Sequence, residues 1–260
     1  TINKPVTKYG FVVQDLDANA AGRYTESVSI VTTGGSFSNF ANNFTVSNSN
    51  KTITANQWAN CSPSSPCNFN IEWGAQSANT PFVTTHGNPY SGASTTTSTG
   101  DHLVGYSDFY FCLAPPKLIV KKALSGTRVN TNDQFEIAVS GGSLAANSFT
   151  TTGTGSTITN GTSATITLAE STNYTITERV MNGTTLGDIA NYNATYVCSN
   201  ATTGSTTVMP TTAMSYNPTT KTRSFTLSNV TYGDEITCTI TNSANYVFSG
   251  TVFNDNGNVS

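Results

Sequence analysis

Apolar and polar residues alternate with period two in short runs along this chain, the spacing that puts every second side chain on one face of a β-sheet. Over residues 1–114 the runs are YGFVVQDLD (9–17), ESVSIVT (26–32), NFTVS (43–47), KTITA (51–55), FNIEW (69–73), PFVTT (81–85) and GYSDFYFCL (105–113). They are rich in β-branched and aromatic residues, and clusters of Gly, Asn, Pro and Ser separate them. Strands at this spacing predict an all-β domain, a sandwich of jelly-roll type. Ala114-Pro115-Pro116 ends it, because two prolines remove ladder donors and force an extended passage.

Three runs organise the second half: LIVKK (118–122), NYTITE (173–178) and EITCTITN (235–242). Parity places Leu118 and Val120 on one face with Lys122, Tyr174 and Ile176 with Glu178, and Ile236, Cys238 and Ile240 with Asn242. A lysine, a glutamate and an asparagine therefore fall on core-facing positions, where an isolated charge would cost several kcal/mol, so they are expected to meet. Such a trio is what an intramolecular isopeptide bond needs. A desolvated, neutral amine attacks the carboxamide carbon while the carboxyl shuttles the proton. Between these runs, GTGSTITNGTSATITL (153–168) is predicted to be a hairpin and residues 201–217 a long polar loop.

On these residues, positions 117–243 resemble a CnaB-type, prealbumin-like domain of bacterial surface proteins. In that family the lysine lies in the first strand, the glutamate in a Y-x-x-x-E strand and the asparagine in the last. Lys122, Glu178 and Asn242 match position by position. The resemblance implies a second β-sandwich over 117–244, with this trio as an autocatalytic cross-link and with no enzymatic site. Cys198 and Cys238 depart from many cross-linked members. A disulfide between them is the alternative staple, with the trio then a plain hydrogen-bonded network. The first domain is loosely similar, through F-x-x-x-D-x-D … E-x-V-x-I and a late D-x-x-F strand, to N-terminal sandwich domains of large bacterial adhesins. After Asn245, F-S-G-T-V-F-N-D-N-G resembles the opening strand of B-type repeats in serine-aspartate-repeat surface proteins. Residues 245–260 thus read as a lone strand in need of a sheet edge, in this chain or a neighbouring one.

Composition narrows the setting. The 260 residues are 36% hydrophobic and 10% charged, with net charge −3, enough apolar material for real cores. An acidic balance offers no footprint for nucleic acid or anionic lipid, and no run is long enough to span a bilayer. Thr1 is not followed by a signal segment, which reads as a mature or excised fragment. Of five cysteines, Cys61 and Cys67 lie in CSPSSPC without nearby histidines, so oxidised pairs and an extracellular, cell-surface setting are expected. Cys112 is left over, either buried or paired outside this chain.

The remaining candidates are weaker. Asp15, Asp17 and Glu26 carry hard oxygen ligands that would suit calcium, against the plainer reading of a solvated turn; no other cofactor is expected. His86 and His102 stand in Gly-rich loops, read as surface. Trp58, Trp73, Tyr90 and Tyr106 could stack on a sugar, although Trp73 alternates with Phe69 and Ile71 and so is expected in the core. No catalytic motif is present that would make an enzyme. The expected function is a structural segment of a bacterial surface adhesin or fibre whose partners are neighbouring subunits or repeats. The alternative is a ligand-binding module whose first sandwich grips a glycan or host protein.

Overall fold

In the computed structural model, which describes residues 1–18, 24–56, 66–90, 104–246 and 250, the chain divides between Ala114 and Pro115 into two compact units, with Thr202–Gly204 grouped with the first. The first contains β1 (Val6–Gln14), β2 (Ser27–Ile30), β3 (Gly35–Ser38), β4 (Phe44–Ser47), β5 (Thr52–Ala55), β6 (Phe69–Trp73), β7 (Thr84–Gly87) and β8 (Gly105–Leu113). Two antiparallel sheets result, in the orders β3-β6-β1-β8 and β4-β5-β2-β7. Their inner faces close on Val13, Val28, Ile53, Phe69, Ile71 and Trp73. The alternation in FNIEW is read out directly, since Phe69, Ile71 and Trp73 are all buried. Trp73 keeps its polar edge satisfied by donating from Nε1 to the Thr32 carbonyl at 3.2 Å.

Two details differ from expectation. The short run GSFS forms β3, which pairs with β6 so that Gly35 lies opposite Trp73. A Cβ on Gly35 would sit 2.6 Å from Trp73 Nε1, so only glycine lets this strand approach. PFVTT was expected to be a strand over 81–85, yet β7 begins at Thr84. Proline has no N–H to give, and Val83 spends its groups on the 31–32 turn, its carbonyl accepting from Val31 and its N–H donating to Thr32 Oγ1.

The second unit contains β9 (Lys117–Ser125), β10 (Asp133–Ser140), β11 (Asn147–Thr150), β12 (Ile166–Thr167), β13 (Tyr174–Asn182), β14 (Thr185–Leu186), β15 (Tyr192–Asn200), β16 (Ser215–Asn217), β17 (Thr222–Leu227) and β18 (Glu235–Ala244). One sheet has the order β12-β9-β18-β15; the other runs β11-β10-β13-β17-β16, with β14 attached to β13. The first and last strands of the unit, β9 and β18, are neighbours and run parallel, with Lys122 opposite Ile240. Leu118, Val120, Phe135, Ile176, Tyr192 and Ile240 are among the fully enclosed residues between the sheets.

The expected hairpin over 153–168 does not form. Thr152 and Thr159 make an isolated bridge, Thr162 bridges to Lys121, and Ile166–Thr167 joins β9 as β12. The polar repeat lacks an apolar face to hold a hairpin, so its backbone groups go to the edge of β9 instead. The polar segment after β15 is a loop as far as Ser215, and it is anchored rather than loose. Asp234, wholly buried, accepts from Ser205 Oγ, Thr207 Oγ1, Asn200 Nδ2 and the Thr231 N–H. Cys198 and Cys238 face each other across β15 and β18 and are bridged.

Burial alone would raise the Asp234 pKa, but these donors outweigh it and hold the group below its ordinary 3.8. A depressed carboxylate adds stability above its unfolded pKa and loses it as pH falls through the folded value. Asp234→Ala should therefore destabilise at pH 7, and denaturant titrations should show its deficit shrinking below about pH 4. Cys198→Ser/Cys238→Ser opens a loop with a sequence separation of 40. It should cost about 4 kcal/mol in chain-entropy terms, read from the same titrations.

Candidate site: a buried lysine, glutamate and asparagine

Each residue of the trio reaches the second unit's core by strand alternation. Leu118, Val120 and Lys122 are buried along β9, Tyr174, Ile176 and Glu178 along β13, and Ile236, Cys238, Ile240 and Asn242 along β18. Lys122 and Asn242 thus come from adjacent strands of one sheet, and Glu178 comes from the facing sheet. Lys122 Nζ is 3.1 Å from Glu178 Oε1, and both side chains are wholly buried. Asn242 Nδ2 donates to the same oxygen at 3.0 Å. The amine also donates to the carbonyls of Ala123 and Ile240, at 3.0 and 3.3 Å, and sits 4.6 Å from the Phe135 ring centroid.

The electrostatics favour neutral groups. Burial pushes the Lys122 pKa below its ordinary value, with the Glu178 charge opposing. Burial likewise pushes Glu178 up, with Lys122 opposing. Both directions favour moving the proton from amine to carboxyl, leaving a free amine beside a carboxylic acid. Glu178 Oε2 and Asn242 Oδ1 are buried without a hydrogen-bond partner among the described residues. An unpaired charged oxygen there would be costly, whereas a protonated Oε2 is a donor. A half-turn of the carboxamide exchanges Nδ2 and Oδ1 and would set Oδ1 beside Glu178 Oε1, so that a proton carried on Oε1 is the one it would accept.

Sequence reasoning missed two members of this setting. Arg223 lies opposite Glu178 in the β13–β17 register, adds an opposing charge to it, and donates from Nη2 to the Tyr192 carbonyl at 3.4 Å. Its parity with Phe225 and Leu227 in TRSFTL was the available signal, since those two are buried. Phe135, whose ring faces the amine, could not be paired with Lys122 before the two sheets were superposed.

Residues 117–244 match the model of a SpaA-type family, the prealbumin-like fold domain. This segment is a SpaA-type, prealbumin-like domain. Its lysine strand opens the match and its asparagine strand closes it. No curated protein matches the chain. Among solved structures, the chain is similar to the major pilin T3.2 of Streptococcus pyogenes, at 11% identity and TM-score 0.31, covering 93% of this chain and all of that one. The T-13 major pilin of the same organism gives 10% identity and TM-score 0.27, covering 94% of this chain and 100% of that one. Another major pilin structure from that species gives 12% and 0.27, covering 92% and 99%. At such scores these three pilins lend nothing to the assignment, which stands on the domain match and the geometry.

The other candidates separate. Asp15, Asp17 and Glu26 do not gather into a calcium cage among the described residues. Among the described residues no group of three or more His, Cys, Asp or Glu could hold a metal ion. Glu26 turns inward, its Oε2 accepting from the Asp17 N–H at 3.1 Å and its Oε1 lying 3.8 Å from His86 Nε2. Asp17 Oδ1 accepts from Tyr24. These oxygens are committed to holding the β1–β2 connection together, and His86, expected at the surface, has a carboxylate neighbour. Trp73 is core, as its alternation implied. Cys67 is buried and disulfide-bonded, while Cys61, Trp58 and His102 lie outside the described residues. Cys112 is an exposed free thiol on β8.

In an Asn242→Leu background, where no bond to Lys122 can form, Glu178→Ala should cost about 3–5 kcal/mol, because it strands a buried amine. Lys122→Met/Glu178→Leu in that background should cost much less, and equilibrium unfolding in urea compares the two.

Proposed function

We propose that this chain is a non-enzymatic structural segment of an extracellular bacterial surface fibre or adhesin, its second domain locked by an isopeptide bond from Lys122 Nζ to Asn242 Cγ. The observation that carries this is the burial of all three groups, with the Lys122 amine and the Asn242 carboxamide both within hydrogen-bonding distance of Glu178 Oε1. The uncharged Lys122 amine attacks Cγ, and protonated Glu178 donates to the carboxamide oxygen and so polarises the carbon. As the tetrahedral intermediate collapses, Glu178 takes a proton from the attacking nitrogen and returns one to Nδ2. The C–N bond to Nδ2 breaks and ammonia leaves, so an amide and ammonia replace an amine and a carboxamide, with Glu178 again the acid.

The topology gives such a bond a mechanical role. Because β9 and β18 run parallel, the chain enters the domain at one end and leaves at the other. Tension would run up β9 to Lys122, cross to Asn242 and leave by Ala244, with everything between them unloaded. Closing a loop of about 120 residues would also restrict the unfolded chain by about 5 kcal/mol on disulfide-like reasoning.

A second reading, a ligand-binding module, draws on a cleft of about 500 Å³ in the first unit lined by Asn39, Phe40, Asn68 and Asn70. Amides beside an exposed ring suit a glycan. A glycan array with saturable binding, lost in Phe40→Ala, would favour it over a purely structural segment.

Intact-mass measurement tests the bond. The wild type is expected one ammonia lighter than its sequence with disulfides counted, and Glu178→Ala is expected to restore the full mass. A wild type at full mass would leave the trio as a buried hydrogen-bonded network.

A further inference from the structure

Strand β8 lies at the edge of its sheet, paired with β1 alone among the described residues. Its register with β1 places Tyr106 opposite Val13 and Phe111 opposite Tyr9. Between them the pairing slips, and two residues, Asp108 and Phe109, stand against Phe11, with Asp108 in the left-handed region at φ 49°. This is a β-bulge, and its extra residue resets the parity of the strand. Tyr106, Phe109 and Phe111 therefore share one face, although 106 and 109 would alternate in a regular strand. That face is the inner one. Phe11 packs against both Tyr106 and Phe109, with ring centroids 5.7 and 5.2 Å away, while Phe11 and Val13 point into the core.

Among the described residues the core face is thus left uncovered at this edge. Tyr106, Phe109 and Phe111 are 43, 60 and 54% exposed on a single strand. Side chains placed inward by a bulge and yet open to water are what an absent strand would cover. The thirteen residues preceding Val104, SGASTTTSTGDHL, offer only Ala93 and Leu103 as apolar groups.

The C-terminal run has the complementary character. Tyr246, Phe248, Gly250 and Val252 share one parity, and no charge occurs from Tyr246 to Phe253. The run follows β18, which is already paired on both sides by β9 and β15. An edge is available at β15, but its outward residues are Asn193, Thr195, Val197 and Ser199, with Val197 alone apolar. Three aromatic side chains are the better match for three large apolar ones, each able to bury on the order of 150–250 Å².

We infer that the uncovered edge of β8 accepts the C-terminal run, Tyr246–Phe253, of a second copy of this chain, joining copies head to tail by strand addition. This rests on the reading of the chain as a fibre subunit but is independent of the Lys122–Asn242 bond. Light scattering after gel filtration, over a concentration series of the full chain, is the test. Two full-length variants accompany it: Phe109→Ser/Phe111→Ser, which spoils the acceptor, and Phe248→Asp/Val252→Asp, which spoils the donor. Phe109 and Phe111 are more than half exposed, and a thermal melt verifies that each variant folds.

The wild type is expected to self-associate, each variant to be monomeric, with association at least about tenfold weaker. Mixing the two variants should give a 1:1 heterodimer and nothing larger, because one intact donor meets one intact acceptor. A monomeric wild type, association that survives the Phe109→Ser/Phe111→Ser change, or a mixture that stays monomeric would overturn the inference. A monomer that still lacks one ammonia would overturn strand addition while leaving the cross-linked structural segment intact.

Discussion

A lysine, a glutamate and an asparagine in a dry space between two β-sheets set the terms for the second domain. Charged groups cannot stay there separately, so the strands that carry them must meet in one register and at one distance. The Lys122–Glu178 contact spans the two sheets, and Asn242 adds a donor to the same carboxylate oxygen. Sliding β9, β13 or β18 by one residue would turn its polar member to water and leave the others orphaned. The polar cluster fixes register as firmly as the apolar core does.

Around that constraint the domain is tied at several depths. The parallel pairing of β9 with β18 puts the chain's entry and exit strands side by side at the middle of a sheet. The Cys198–Cys238 bridge fastens β15 to β18 on the other side, and the Asp234 hydrogen bonds pin the long polar loop beside them. All three act on β18 or on the turn that leads into it. Strand β18 is thereby held from both flanks and across the core.

The first unit solves a different problem. Its two four-stranded sheets bury Trp73, Phe69 and their neighbours completely, yet the bulge at Asp108 extends the inner face past its cover. One unit is closed by polar groups turned inward, and the other carries aromatic groups on its inner face that stay exposed at the β8 edge.

Alternation alone carried much of this. Period two in LIVKK, NYTITE and EITCTITN determined which face Lys122, Glu178 and Asn242 would take, because a strand offers a side chain only two directions. The same rule placed Trp73 in the core. It also held the signal for Arg223, whose parity with Phe225 and Leu227 went unused. Other features depend on contacts between distant segments. GSFS became a strand because Gly35 fits against Trp73, and residues 153–168 failed as a hairpin because the β9 edge took their hydrogen bonds. The acidic residues near the start tie the β1–β2 connection together because Glu26 folds back on the Asp17 backbone. Tyr106, Phe109 and Phe111 share a face through one bulged residue, which a period-two reading assigns to opposite sides. Sequence therefore determined the direction of each side chain within a regular strand. Tertiary structure decided the rest, because partner, register and bulge are set by whichever distant edge satisfies the backbone at lowest cost.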